Sequence, residues 1–177
     1  MPIVQTLDPS QSLYTEFQGY SKVAVDQKGR ISIPAKFRAL LSVESRDGLI
    51  LMQGIEPCIY AYPLDEWARL TKLFESQWGN LKQKYRFNRR WAMPSMLVQF
   101  DPQGRIALPA NLREHAHIED EAIVGGVVDH LEVWNPSLLQ QAIQEVEQEF
   151  AEMFGNLAQA RGAPELGNGP APTEERA

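Results

Sequence analysis

The sequence contains one cysteine, Cys58, and no apolar run near the ~20 residues that a transmembrane helix needs. A single cysteine cannot form an intramolecular disulfide and cannot build a zinc site alone. The first residues, MPIVQTLDPSQSLYTEF, lack a basic segment followed by an apolar one, so no secretion signal is expected. These absences argue against a secreted or membrane protein and point to the cytoplasm.

Patterns that mark catalytic sites are missing as well. No Gly-rich phosphate loop, Ser/His/Asp order or paired-carboxylate pattern stands out. His115 and His117 form an H-x-H pair and His130 lies apart, but no Cys cluster or HExxH motif accompanies them. The sequence therefore predicts no enzyme, no cofactor and no metal site.

Charge is distributed unevenly along the 177 residues, whose formal net charge is −6. Residues 1–113 carry 15 Lys and Arg against 10 Asp and Glu, a net charge of +5. Residues 114–177 carry 2 Arg against 13 acidic residues, a net charge of −11. This asymmetry is typical of a basic binding face followed by an acidic segment. A solvated acidic helix that keeps the protein soluble explains it equally well.

An internal repeat organises the chain. Residues 23–38 read VAVDQKGRISIPAKFR, and residues 98–113 read VQFDPQGRIALPANLR at an offset of 75. Eight of the 16 positions are identical, which chance does not produce. A weaker similarity follows each copy at an offset of 72, and it aligns Tyr62 of the first copy with Trp134 of the second. Each copy spans roughly 45–55 residues, a marginal size for independent folding, so the copies are expected to share one core.

The sequence of each copy predicts the same order of strands, turn and helix. A short strand leads into an Asp-x-x-Gly turn, where glycine supplies a positive φ. Alternating residues then predict a second strand, and Pro34 or Pro109 opens a short helix. Two further strands follow, at 49–53 with 58–62 in the first copy and at 122–126 with 130–134 in the second.

Longer helices are predicted outside these elements. Pro63 starts one with the apolar side Leu64, Trp67, Leu70, Phe74 and Trp78. Asn135 caps another, which Gly155 is expected to end, with apolar positions Leu139, Ile143, Val146, Phe150 and Met153. The predicted domains are an N-terminal arm (1–13), a first repeat with its closing helix (14–79), a basic linker helix (80–93), a second repeat with a C-terminal helix (94–155) and a disordered acidic tail (156–177).

These motifs resemble those of the MraZ family of bacterial regulators of the division and cell-wall gene cluster. The resemblance rests on the paired DxxGRIxIPAxxR-like motifs, on FQG at 17–19, and on the runs CIYAYPLDEW and HLEVWNP. It covers about residues 14–150. The family belongs to the wider group of AbrB-like swapped-hairpin transcription factors, and two copies in one chain distinguish it from relatives that carry one copy and dimerise.

The resemblance implies a fold of mostly β with α (α+β): a pseudo-twofold, double swapped-hairpin β-barrel with flanking helices. It also implies a ring-shaped homo-oligomer that binds short direct repeats of double-stranded promoter DNA upstream of its own operon, in association with the nucleoid. The sequence departs from the family in its N-terminal arm, its acidic tail and the segment Trp91-Ala-Met-Pro-Ser-Met. The last departure bears on subunit packing and leaves the DNA-reading motif untouched.

The candidate DNA-binding residues lie on the two glycine turns. In the first turn, Arg30 suits a guanine edge or a bidentate phosphate contact, and Lys28 suits a point contact with phosphate. The alternative is that Arg30 pairs with Asp26 and locks the turn. In the second turn Pro102 stiffens the loop, and a structural role for Arg105 is favoured. The complete predicted set is Gln27, Lys28, Arg30, Gln103 and Arg105.

A second group of residues is expected to serve structure or assembly. Asp26 and Asp101 share the Asp-x-x-x-Arg spacing of the turns, and Arg38 and Arg113 are expected to pair between helix and strand or between subunits. The linker contains the densest basic run, Lys82, Lys84, Arg86, Arg89 and Arg90. Such a run is usually a solvated face, and the resemblance makes Arg89 and Arg90 candidates for pairing between chains.

A different class of function remains open: a protein–protein scaffold, or an antitoxin-like protein whose tail or C-terminal helix holds a partner. A small hydrolase is a distant third hypothesis. Antitoxins of this superfamily carry one copy of the repeat and a partner-wrapping tail, whereas this chain has two copies. Short direct repeats immediately upstream of the reading frame would favour the DNA-binding hypothesis.

Overall fold

A computed structural model describes residues 16–77 and 80–160, with side chains up to residue 157. The chain divides into two compact units, Met1–Leu139 and Gln140–Ala177. The strands are Tyr20–Ala24 (β1), Arg30–Ser32 (β2), Gly48–Gln53 (β3), Cys58–Tyr62 (β4), Met96–Gln99 (β5), Arg105–Ala107 (β6), Glu121–Val127 (β7) and His130–Trp134 (β8). The helices are Ala35–Arg38 (α1), Leu64–Gln77 (α2), Leu81–Arg90 (α3), Ala110–His115 (α4) and Pro136–Ala160 (α5).

The two repeats exchange strands within one six-stranded antiparallel sheet. Its order is β1-β7-β8-β4-β3-β5, so the first strand of each repeat pairs with a strand of the other repeat. β1 pairs with β7, and β5 pairs with β3. At the centre, Tyr60 of β4 faces Glu132 of β8, and these two residues are equivalent at the offset of 72. The sheet therefore has pseudo-twofold symmetry between the repeats.

The remaining strands, β2 and β6, pair with each other in a two-stranded antiparallel ribbon. Ile31 faces Ile106 across the ribbon, and both side chains are completely buried. They join one core formed by residues of both repeats, including Phe37 and its counterpart Leu112. The prediction of a shared core is confirmed, because burial of these equivalent side chains needs both copies.

The fold class is a mixture of helices and antiparallel strands. Strands 48–53, 58–62, 121–127 and 130–134 match the predicted ones within a residue at each end. In the described part of the chain, however, helices contain more residues than strands, so "mostly β" is wrong. The strand pairings give a sheet and a separate ribbon, and they close no barrel among the described residues.

The helices largely follow their sequence signals. Asn135 caps α5 as predicted, because its Oδ1 accepts hydrogen bonds from the backbone N–H of Ser137 at 2.9 Å and of Leu138 at 3.3 Å. Gly155 does not end α5, which continues to Ala160. Helix-favouring residues on both sides of Gly155 outweigh the cost of about 1 kcal/mol for one exposed glycine. No described helix combines the length and apolarity that a membrane crossing requires.

Parts of the domain scheme lie outside the described residues. These are the arm at 1–13, Trp78 on the predicted face of α2, and residues 161–177 of the tail. The basic linker contains α3, whose N-cap Asn80 accepts a hydrogen bond from Gln83 N–H at 2.9 Å. The domain boundaries themselves stay a prediction.

His130 lies in a mostly buried cluster on the central strand β8. Its Nδ1 is 2.7 Å from Asp129 Oδ1, and its ring stacks on Tyr62 with centroids 4.6 Å apart. Glu132 Oε1 lies 3.6 Å from Nε2, an ion-pair distance that is too long for a hydrogen bond. Burial alone lowers the pKa of His130, but the two carboxylates outweigh it, so the pKa lies above its ordinary value of 6.5.

The His130 cluster is expected to stabilise the fold most at acidic pH. A pKa raised by folding means that the protonated ring contributes fully below the unfolded pKa of about 6.5, and that this contribution is lost as pH rises through the folded pKa. We expect the difference in unfolding free energy between wild type and His130→Gln to shrink from about pH 5.5 to about pH 8.5. Urea denaturation at several pH values measures it, and a difference that grows with pH contradicts this assignment.

Candidate nucleic-acid interface

The two Asp-x-x-Gly turns have the same geometry. In the first, Asp26 Oδ1 accepts hydrogen bonds from the backbone N–H of Lys28 and of Arg30, both at 2.9 Å. Gly29 follows with φ +71°, a conformation that glycine adopts without strain. In the second turn Asp101 Oδ1 accepts from Gln103 and Arg105, and the glycine φ is +74°. The sequence prediction of the turn chemistry is confirmed in both copies.

The arginines that follow the glycines are paired with the turn aspartates. Arg30 Nε donates to Asp26 Oδ2 at 2.8 Å, and Arg105 Nε donates to Asp101 Oδ2 at 2.7 Å. The hydrogen bonds from Arg30, foremost that from its backbone N–H, hold the pKa of Asp26 below its usual value. For Asp101, partial burial raises the pKa, but the hydrogen bonds from Arg105 and Gln103 outweigh it and the net pKa is lowered.

Weaker ion pairs join the two turns across the β2–β6 ribbon. Arg30 Nη1 lies 3.5 Å from Asp101 Oδ2, and Arg105 Nη1 lies 3.9 Å from Asp26 Oδ2. The four side chains thus form one network, which we call the turn network. The arginine side chains remain 29% and 32% exposed, so solvent or a ligand can reach both guanidinium groups. The structure contains the Arg30–Asp26 ion pair that the sequence offered as the alternative to a DNA contact. A DNA contact through the solvent-exposed side of the Arg30 guanidinium stays a prediction.

Arg38 and Arg113 each contact the glycine turn of the other repeat. A Cβ built on Gly29 would lie 3.0 Å from Arg113 Cζ, and one built on Gly104 would lie 2.6 Å from Arg38 Cζ. Arg38 Nε also donates to the carbonyl of Ile33 at 3.0 Å. The sequence predicted pairs between helix and strand or between subunits, and it missed these contacts with a turn. The repeat shows which residues are equivalent, but it does not show which copy each one touches.

The outer positions of the turns distinguish the two copies. Gln27 and Lys28 are exposed in the first turn, and Gln103 is exposed in the second. Gln103 Oε1 accepts a further hydrogen bond from Arg105 Nη2 at 3.2 Å, and no such contact is present between Lys28 and Arg30. Residues 26–30 carry two cations and one carboxylate, whereas residues 101–105 carry one of each. The first turn is therefore the more positive, and its arginine is held by fewer groups.

The basic residues of α3 are mostly solvent-exposed, as expected for a solvated face. Lys84 pairs with Glu75 at 3.0 Å, and Arg90 Nη2 donates to the carbonyl of Gly54 at 3.4 Å. Arg89 is exposed. Pairing of Arg89 or Arg90 with a second chain stays a prediction.

The histidines do not come together. His115 Nε2 lies 3.2 Å from the carbonyl oxygen of Glu56, and His130 belongs to the carboxylate cluster described above. Within residues 16–77 and 80–157, no group of three or more His, Cys, Asp or Glu side chains has the arrangement of a metal site. Burial raises the pKa of the Cys58 thiol well above its usual range, which makes it a poor nucleophile.

Known proteins match the chain over both repeats. The family model described as "MraZ protein, putative antitoxin-like" matches residues 17–86 and 92–160. A protein of Pediococcus pentosaceus named "Transcriptional regulator MraZ" is 33% identical over 141 residues, which are 80% of this chain and 96% of that protein. Proteins of the same name from Limosilactobacillus fermentum and Halothermothrix orenii are 38% identical over 119 residues and 34% identical over 137. Those alignments cover 67% and 77% of this chain, and 80% and 93% of the respective relatives.

Proposed function

Since the chain belongs to the MraZ family, we propose that it regulates transcription by binding double-stranded DNA with the paired turns of the β2–β6 ribbon. The observation that carries this proposal is the turn network. It presents two partly exposed guanidinium groups on one two-stranded element, with Lys28 exposed in the turn beside it. A two-stranded ribbon is one of the shapes that the major groove of DNA admits.

The aspartates orient the arginines for this role. Asp26 accepts from Nε and from one terminal nitrogen of Arg30, which fixes the plane of the guanidinium. The opposite edge makes only the 3.5 Å ion pair of Nη1 with Asp101, so we propose that its N–H groups can bind a guanine O6/N7 pair or a phosphate. Lys28 is exposed beside it and suits a phosphate contact. Gln27 and Gln103 extend the same surface as polar contacts, with Arg105 contributing less because Gln103 already holds it.

We propose a ring-shaped homo-oligomer that binds short direct repeats upstream of its own operon within the division and cell-wall gene cluster. It would act in the cytoplasm, associated with the nucleoid. We also propose that the ribbon and the sheet are parts of a closed swapped-hairpin barrel in each chain, and that Arg89 and Arg90 pair with a neighbouring chain. A single module with two or three phosphate contacts binds weakly, whereas linked sites raise avidity by ~10²–10⁴.

Electrophoretic mobility shift assays on DNA with one, two or three of the upstream repeats test the proposal. We expect affinity to rise by at least ~10² from one repeat to three, and scrambled DNA of equal length to bind weakly. Equal affinity for one, two and three repeats contradicts multivalent binding. Equal affinity for scrambled DNA contradicts sequence-specific recognition.

A second function, an antitoxin-like or scaffold protein, is favoured by the antitoxin-like description of the matching family. In that case a protein would occupy the exposed surface of α5, and DNA with the upstream repeats would produce no shift. The two-copy architecture argues for the regulator, because the antitoxins that the resemblance brings in are expected to carry one copy, whereas the family model matches this chain twice. The shift assay separates these two functions.

A further inference from the structure

Each glycine turn of the ribbon is covered by an arginine from the other repeat. Gly29 is buried although it lies in a turn, and a Cβ built on it would lie 3.0 Å from both Cζ and Nε of Arg113 on α4. The same construction on Gly104 gives 2.6 Å to Cζ and 2.7 Å to Nε of Arg38 on α1. The second repeat therefore covers the first turn, and the first repeat covers the second turn.

A backbone hydrogen bond fastens each turn to the same repeat that covers it. The carbonyl of Gly29 accepts from the N–H of Leu108 at 2.9 Å, and the carbonyl of Gly104 accepts from the N–H of Ile33 at 3.1 Å. Leu108 precedes Arg113 by five residues in the chain. One short segment of the second repeat thus contacts the first turn at two points, once through its backbone and once through the Arg113 side chain.

The backbone of Arg113 is itself held by α4 and by the core. Its N–H donates to the carbonyl of Pro109 at 3.0 Å, and its carbonyl accepts from the N–H of Ile118 at 2.9 Å. The preceding residue, Leu112, is completely buried in the core that both repeats form. Because close-packed interiors resist displacement, a side chain that extends from this backbone can limit the movement of the turn that it contacts.

The two covering arginines differ in their own hydrogen bonds. Arg38 Nε donates to the carbonyl of Ile33 at 3.0 Å. Arg113 Nε is buried and has no hydrogen-bond partner within residues 16–77 and 80–157. A buried donor without an acceptor lowers stability, so an arginine at this position needs an explanation other than the stability of its own repeat. The close contact with the first turn offers such an explanation.

We infer that Arg113 is a positioning residue for the first turn. It holds Lys28 and Arg30, which flank Gly29, in the arrangement that contacts DNA, and it does not contact DNA itself. Arg38 has the equivalent role for the second turn. The inference rests on the proposed function, which assigns the stronger DNA contacts to the first turn. A residue of the second repeat therefore controls the DNA contacts of the first.

Hydrogen exchange of the free full-length protein tests the positioning without DNA. Two backbone N–H groups of the first turn donate to the Asp26 carboxylate, so their exchange reports on the order of the turn. We expect Arg113→Ala to raise the exchange rate at residues 26–31 by ~10-fold and to leave residues 101–106 nearly unchanged. Arg38→Ala should have the reverse effect. Faster exchange only in the turn of the mutated repeat, or equally in both turns, overturns the inference.

Mobility shift assays with the upstream repeats measure the effect of each variant on DNA contacts. We expect Arg113→Ala to weaken binding by at least ~10-fold and Arg38→Ala by less than ~3-fold, because the first turn carries two cations and the second carries one. Normal affinity of Arg113→Ala overturns the inference and leaves the proposed function standing. No shift by the wild-type protein contradicts the proposed function, and the role of Arg113 in DNA binding falls with it.

Thermal melting separates positioning from a general loss of stability. Arg38 and Arg113 occupy equivalent positions of the repeat, at the offset of 75, and each contacts one glycine turn. We expect the Tm of each alanine variant to fall by less than ~5 °C. Positioning predicts that DNA affinity differs between the two variants although their Tm values are similar. Affinities that fall in proportion to Tm in both variants overturn the inference.

The conservative variant Arg113→Lys separates positioning from a direct phosphate contact. Lysine keeps the positive charge but lacks the planar guanidinium that packs against Gly29. We expect Arg113→Lys to lose most of the affinity that Arg113→Ala loses and to show the same faster exchange at residues 26–31. A phosphate contact depends mainly on the charge, so it predicts near wild-type affinity for the lysine variant. That result overturns the inference.

Discussion

Replacing Arg30 by alanine is expected to reduce binding to the upstream repeats below detection in a shift assay, whereas Arg105→Ala is expected to weaken it only moderately. A lost bidentate base contact costs ~1–3 kcal/mol at one site, and the loss recurs at every subunit that touches DNA. Arg30 lies in the more positive turn, and Arg105 is held by Gln103 as well as by Asp101. Loss of the arginine should therefore weaken DNA binding more in the first copy of the repeat than in the second.

The unfolding free energies of the two alanine variants are the control for the comparison of their DNA binding. The two arginines make equivalent ion pairs and are similarly exposed, so each alanine variant should lose about 1 kcal/mol or less of unfolding free energy. The sequence alone assigned a structural role mainly to Arg105, and the structure gives both arginines the same pairing. Thermal melting and light scattering check that fold and oligomer size are retained. Normal binding by Arg30→Ala, or complete loss only in Arg105→Ala, would assign the DNA contact to the other copy.

A large loss of stability is expected on substitution of Gly126, where β7 passes close to the chain at residues 17 and 18. A Cβ at this position would lie about 2.5 Å from the carbonyl carbon of Phe17 and 2.6 Å from the backbone nitrogen of Gln18. Backbone atoms cannot move aside as the end of a side chain can. Phe17 is buried and packs edge-on against Phe37, with ring centroids 6.1 Å apart. A shift of this segment therefore disturbs the core.

We expect Gly126→Ala to lower the unfolding free energy by about 2–3 kcal/mol. For a chain of this size, that corresponds to a fall in Tm of roughly 5–10 °C. The neighbouring Gly125→Ala is a matched control, because a Cβ there lies 3.9 Å from Tyr20 Cβ, an ordinary van der Waals distance. It should change stability by at most about 0.5 kcal/mol. Calorimetry measures the unfolding free energy of the two variants. Equal losses in both would mean that strand propensity, and not the close approach of the backbone to residue 126, is responsible.

Much of this fold can be predicted from the repeat. The paired motifs give the turns, their glycine conformations and four of the strands, because each depends on residues that are close in sequence. The motifs also identify the family, which the comparisons confirm. What the sequence does not supply is the pairing between copies, such as β1 with β7, because similarity between two segments says nothing about which one each segment contacts.

In the candidate site, too, the local contacts could be predicted from the sequence and the contacts between distant residues could not. The ion pair of Arg30 with Asp26 follows from the four-residue spacing, and the structure has it at 2.8 Å. The contact of Arg113 with the Gly29 turn joins residues 84 positions apart and left no local signal. The end of α5 was misjudged for a different reason: glycine is a common C-cap, but an exposed glycine costs little when the residues around it favour a helix.

The exchange of strands between repeats has a consequence for synthesis of the chain on the ribosome. β1 can pair with β7 only after residue 127 has been made, and until β5 emerges the edge of β3 has no partner. A nascent first repeat therefore exposes unpaired strand edges, which are templates for pairing with other chains. Contacts between such distant residues also slow folding. In polysomes translating this message, the unpaired edges of neighbouring nascent first repeats are therefore exposed to one another until the second repeat has been made.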